Sequence, residues 1–317
     1  MTQIERTGHT RQTGLLPTLR RTWSEFQEDR LTDQAAALTY YGVLSLFPAL
    51  IALVSLVGIF ADPAKTTQTI QDVVAQLGPS SAVDTFAEPI RSITSQRSTS
   101  GVMLVVGIVS ALWSASGYIG AFMRVSNVIY EVDEGRPIWK LRPLQMLVTL
   151  VMLLLVVVGA LAVVVSGPLA DAVGSALGLS DSFVSVFKIA KWPILLLIVM
   201  LIVSVLYWAS PNAKLPGFKF VTPGSALAVV VWVVGSLVFA FYVANFGSYN
   251  KTYGALGGVV VFLVWLWLTN VAILLGHQLN AERERTNQIE EGVPGAEREL
   301  QIPERDAPDR DKRPKSA

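Results

Sequence analysis

The residues with chemistry to offer are a few polar side chains set inside long apolar runs, where each needs a partner or a function. From Asp33 onward, Ala37, Tyr41, Ser45 and Pro48 recur every three or four residues and share one helix face, with Tyr40 beside it. Pro48, interior to its run, removes a backbone hydrogen bond and is expected to kink the helix. Ser110, Ser114, Gly117, Ala121 and Arg124 form a second stripe, with Ser116 within it. Two such stripes either pack closely through small residues, with Arg124 reaching the headgroups, or line a polar groove. Asn270 stands in the middle of VWLWLTNVAILLG, where an unpaired amide is costly. It must bond another helix or face a wet cavity. His277, Gln278 and Asn280 follow near the end of the same run, where polar residues are ordinary. A third group runs from Arg124 through Asn127, Tyr130, Glu131, Glu134, Arg136 and Pro137 to Trp139, Lys140 and Arg142. Its four bases could hold a lipid phosphate, or could serve only to fix topology.

This inventory favours binding over catalysis. There is no cysteine, and the two histidines, His9 and His277, are isolated. Thiolate chemistry, disulfides and polyhistidine metal sites are therefore excluded. A nuclease needs a metal cluster or a convergent acid and base facing water, and no carboxylate pair stands in a plausible pocket. No cofactor is expected. With 25 basic against 24 acidic residues, no global field draws nucleic acid.

The elements that must position these residues are membrane spans. Of the 317 residues, 52% are hydrophobic and 15% charged, against about 25% charged in an ordinary soluble domain. Mean hydropathy is +0.49. A helix needs about 20 apolar residues to cross about 30 Å of hydrocarbon, and six runs qualify: 36–60, 101–123, 144–168, 192–210, 224–246 and 256–279. Trp192 at one end of the fourth, with Tyr207 and Trp208 at the other, has the placement of an aromatic belt. Of the 25 Lys and Arg, 19 fall in the tails and the second and fourth loops. The positive-inside rule then puts both termini in the cytoplasm. Residues 1–34 form a polar cytoplasmic segment with no apolar signal core. The membrane domain is 35–281, and 282–317 is charged, contains prolines and is expected to be a disordered cytoplasmic tail.

In the external loops, Ile70, Val73, Val74 and Leu77, then Val83, Phe86, Ile90 and Ile93, fall at helical spacing on either side of Gly78-Pro79. They predict two short amphipathic helices. Phe183, Val186, Phe187 and Ala190 make a further stripe. GSYNKTYGALGG, Gly247 to Gly258, opens the sixth span; Gly254 and Gly258 make a small-xxx-small pair with Gly257 between them, and Tyr249, Asn250 and Tyr253 stand at a membrane edge.

Several of these stretches resemble the YihY/BrkB family: DQAAALTYYGVLSLFPALIALVSLVGIF from Asp33, LWSAS from Leu112, YEVDEGRPIWKLRP from Tyr130, SPNAK from Ser210, and FGSYNKTYGALGG before LGHQLNAE. The likeness covers roughly residues 20 to 285. It implies a six-helix bacterial inner-membrane protein with a cytoplasmic N-terminus, and a role in envelope integrity, serum resistance or the handling of lipid-like molecules. Some members have carried a ribonuclease BN label. Where relatives commonly read GAELNAE, this chain has Gln278 in place of the carboxylate, so a mechanism needing a charge there does not carry over.

The expected protein is thus all-α and polytopic, with membrane lipids as partners, and a second copy or envelope proteins as further candidates. Its function is transporter or flippase-like handling of an amphiphile, or else a non-transporting envelope scaffold. The substrate-binding candidates are Tyr40, Tyr41, Ser45, Ser114, Ser116, Arg124, Asn127, Arg136 and Asn270.

Overall fold

The computed structural model describes residues 14–60, 101–165, 181–245 and 255–307. These form seven helices: α1 (Leu15–Glu28), α2 (Leu31–Phe60), α3 (Gly101–Ile129), α4 (Ile138–Val165), α5 (Asp181–Ala209), α6 (Pro223–Asn245) and α7 (Ala255–Glu290). Among the described residues there is no strand, only a bridge between Ala213 and Glu304. Helices α2 to α7 are each long and apolar enough to span a membrane, as the six runs predict. Pro48 lies within α2, Pro143 within α4 and Pro193 within α5.

The arrangement follows the distribution of apolar surface. Helix α2 packs along α3 and α7, α6 packs along α7, and α4 and α5 extend the bundle from α3 round to α6. Leu31, Leu38, Phe122, Met123 and Leu274 are wholly buried at the centre. The outer surfaces are as apolar as the interior: Leu147, Leu154, Val158 and Leu161 on α4 and Val230, Val234, Leu237 and Phe241 on α6 stand exposed. Helices apolar all round need lipid as their solvent.

Short α1 differs. It lies outside the bundle against the last turns of α7, where Arg21 Nε donates to Glu282 Oε2 at 2.8 Å and Thr18 Oγ1 meets Thr286 Oγ1 at 2.8 Å. Both terminal segments therefore occupy one end of the bundle, the basal end. Two turns there, after α1 and after α3, use Arg30 (φ 50°) and Glu131 (φ 54°) in the left-handed region, which costs a side chain of L chirality about 1 kcal/mol.

Three expectations need revision. Helix α7 runs on to Glu290, and residues 291–307 pack against it with Ala296 and Leu300 buried; the tail from 282 through 307 is ordered, because its charges find partners. Tyr207 is not part of an aromatic belt: it is 2% exposed and donates to the carbonyl of Ile273, while Trp192 and Trp208 remain exposed. The stripe from Phe183 to Ala190 is the first part of α5, continuous with the fourth span. The two amphipathic helices expected between 62 and 100, and Gly254 with its neighbouring tyrosines, lie outside the described residues.

Candidate functional site

Polar side chains gather in three zones. The first is inside the bundle, where α2, α3 and α7 meet. Asn270 Oδ1 accepts from Tyr118 Oη at 2.8 Å, and its Nδ2 donates to Thr39 Oγ1 at 3.1 Å. Thr39 in turn donates to the carbonyl of Ala35. Ser45 Oγ accepts from the Tyr118 amide at 3.2 Å. Asn270 is therefore tied to two other helices. Tyr41 is partly buried beneath Arg124, whose guanidinium sits 5.4 Å from the ring centroid and also donates to the Gly120 carbonyl. Tyr40 and Ser114 are exposed on the flanks, and Ser116 is buried with its hydroxyl on the Trp113 carbonyl. The two stripes thus meet where Ser45 packs on Gly117, beside Tyr118, as a closed seam. Gly257 is buried and Gly258 half-buried at the start of α7.

The second zone is a charged basal network. Glu134 accepts from Arg136 Nε at 2.7 Å and Nη2 at 2.6 Å, and from Asn127 Nδ2 at 3.0 Å. Burial works against its charge, but Arg136 and Asn127 outweigh it and hold this carboxyl below the usual carboxylate range. Asn127 Oδ1 also accepts from the amide of buried Asn212 at 2.7 Å. Asn212 then grips the chain end: its Nδ2 donates to the carbonyls of Asp133 and Asp306, its Oδ1 accepts from the Asp306 amide, and its carbonyl from the Arg305 amide. Arg305 donates to the carbonyls of Ala213 and Trp208 and covers the Trp208 ring. Further along, Arg285 bonds the carbonyls of Ala296, Glu297 and Arg298 and the carboxylates of Glu25 and Glu282. Residues 291–307 are in effect a strap pinned at both ends. Of the three residues grouped in the sequence reading, Asn127 and Arg136 converge on Glu134 here, whereas Arg124 serves the first zone.

The third zone is an aromatic box. His277, wholly buried, stacks on Tyr207 with centroids 4.4 Å apart, and lies 5.5 Å from Phe122 and 5.3 Å from Tyr130. Its Nε2 meets Ser126 Oγ at 3.0 Å. The buried atoms His277 Nδ1, Gln278 Oε1 and Ser204 Oγ have no hydrogen-bond partner among the described residues. Beside this box a cavity of about 130 Å³ opens between α5, the α5–α6 loop and α7, lined by Tyr130, Ser204, Tyr207, Lys219, Thr222 and Arg283, among others. Trp208, 41% exposed, lines it as well.

What holds the cavity's far wall is a contact between backbones. A Cβ on Gly224 would come within 2.0 Å of the Gly276 carbonyl oxygen, and one on Gly276 within 2.3 Å of the Gly224 carbonyl. Asn280 completes this junction, accepting from the Gly224 amide and donating to Thr222 Oγ1, which caps α6 through the Ser225 amide. Sequence reasoning missed Tyr207, Asn212, Gly224, Asn280 and Arg285 as organising residues. The SPNAK stretch was a signal for Asn212; the others carry none beyond their position near helix ends.

These features define a polytopic all-α membrane protein whose polar residues concentrate at one end. The family model of virulence factor BrkB matches residues 22–300, and the chain belongs to that family. It is 33% identical over 264 residues to the ribonuclease-like protein YfkH of Bacillus subtilis (strain 168), covering 83% of this chain and 93% of that protein. It is 29% identical to UPF0761 membrane protein NT05HA_1801 of Aggregatibacter aphrophilus (strain NJ8700), over 82% of this chain and 89% of the relative. To UPF0761 membrane protein NTHI0384 of Haemophilus influenzae (strain 86-028NP) it is 27% identical, over 81% and 91%. No solved structure matches it.

Proposed function

We propose that this protein lies in the bacterial inner membrane with both termini in the cytoplasm and handles a lipid or other amphiphile there, in the manner of a transporter or flippase. The basal cavity carries this reading. It joins the unpartnered Ser204 hydroxyl to the exposed Trp208 side chain at the edge of the bundle, the two surfaces an amphiphile needs. The basic residues of the tails and basal loops support the orientation.

A non-transporting scaffold is the second reading, favoured by one observation: Asn270, the amide in the middle of the sixth span, is committed to Tyr118 and Thr39. Purified protein in proteoliposomes containing fluorescently tagged lipids separates the two. Transbilayer movement faster than in protein-free vesicles, and slowed by Ser204→Leu filling the cavity, is the expected result. Movement at the protein-free rate, with only bulk lipid retained after purification, would establish the scaffold.

A further inference from the structure

Two crevices flank α7 at the basal end, and they share Pro223, Arg283 and Asn287. The first is the polar and aromatic cavity already described. The second, about 370 Å³, lies between α1, the start of α6 and α7, with Leu15, Leu19 and Leu279 among its walls. Arg283 therefore stands where a polar compartment meets an apolar one.

Helix α1 extends the apolar side. Its circumference divides into three arcs. Thr18, Thr22 and Phe26 are buried against the bundle, flanked by Arg21 and Glu25 in ion pairs to α7. Arg20, Ser24 and Glu28 form a polar arc open to solvent. Between them Leu15 (75% exposed), Leu16 (81%), Leu19 and Trp23 (56%) form a third arc, exposed and wholly apolar. Leu15 and Leu19 reach the same crevice as Leu279 of a membrane span, so this arc is continuous with the lipid-facing surface. A helix with such a face lies at the boundary of headgroups and acyl chains.

Resting on the amphiphile reading above, we infer that the joined crevices form one site for an amphiphile bearing a single phosphate charge, taken from the leaflet at the basal end. Arg283 and Lys219 are both exposed and form no ion pair among the described residues. With Glu284 also in its lining, the polar cavity carries two bases against one acid, matching one phosphodiester charge; Glu290, two turns beyond Arg283 on α7, lines only the apolar crevice. Ser204 Oγ, buried and unpartnered, offers a hydrogen bond to the uncharged part of the head. The acyl chain runs along Leu15, Leu19 and Leu279.

The test uses the full chain in lipid discs of phosphatidylcholine and phosphatidylglycerol, with retained lipids counted by native mass spectrometry. Wild type is expected to enrich phosphatidylglycerol about tenfold over the disc ratio, the worth of one charge-assisted hydrogen bond. The Lys219→Gln, Arg283→Gln variant should return to the disc ratio while retaining as many lipids in total. Both side chains are exposed, so folding is kept, as circular dichroism would confirm. Leu15→Gln, Leu19→Gln should instead lower the total retained. Retention at the disc ratio by wild type would overturn the phosphate assignment while leaving the amphiphile reading intact. No retained lipid at all would overturn both. Displacement of the bound lipid by inorganic phosphate would mark the site as one for free phosphate and overturn the amphiphile as its source.

Discussion

Asn270 shows how little latitude a polar atom has inside a bilayer. Its carbonyl and amide each have a partner on a different helix, so Asn270→Leu should destabilise the fold by about 1–3 kcal/mol, since Tyr118 and Thr39 are left with unmet bonds. Thermal unfolding in detergent would read this, and Asn270→Leu combined with Thr39→Val should cost less than the sum of the two. Asp29 makes the opposite case at the basal surface. Burial first, then the neighbouring carboxylates of Glu25, Glu131, Glu28 and Glu282, raise its pKa from 3.8 to about 6. A folded value above the unfolded one means that its contribution to stability is complete below pH 3.8 and is lost as pH rises through 6. Asp29→Asn should accordingly raise the melting temperature at pH 7.5 and lose that advantage near pH 3.5. That Asn270 required a partner was legible from its position in an apolar run. That His277 and Tyr207 form the aromatic box was not, because polar and aromatic residues near a helix end are explained equally well by the membrane interface.

Between helices, the decisive contact is made where side chains are missing. Gly224 and Gly276 let α6 and α7 touch backbone to backbone, and either Gly→Ala change would drive a methyl group into a carbonyl oxygen. Gly276→Ala should therefore yield little monodisperse protein on gel filtration. Gly235→Ala, on the same α6 but with nothing within 4 Å of the new methyl, should behave as wild type. The strap is the second such element. Arg305→Ala removes donors to the Ala213 and Trp208 carbonyls, and should accelerate proteolytic cleavage within 291–307 while leaving the helices resistant. The spans were readable from hydropathy because lipid demands unbroken apolar length. The strap was not, because charge and proline content look the same whether a segment is solvated or pinned; only the carbonyls offered to Arg285 distinguish the two.

Across the whole molecule, six spans and two terminal segments at one end make a single topological statement. Because the chain has no cysteine, a cysteine introduced at Ser24 or at Glu297 is a unique label. On the proposed orientation both should react with a membrane-impermeant maleimide only after the membrane is opened; labelling of either in intact spheroplasts would overturn that proposal. The pairing of Arg21 with Glu282, 261 positions apart, also sets an order of assembly. Helix α1 is synthesised before α7 and has no partner for Arg21 until the ribosome has passed Glu282. Closing so long a loop is slow. A helix with such an exposed apolar face rests at a membrane surface, so α1, made before α7, waits there and docks late.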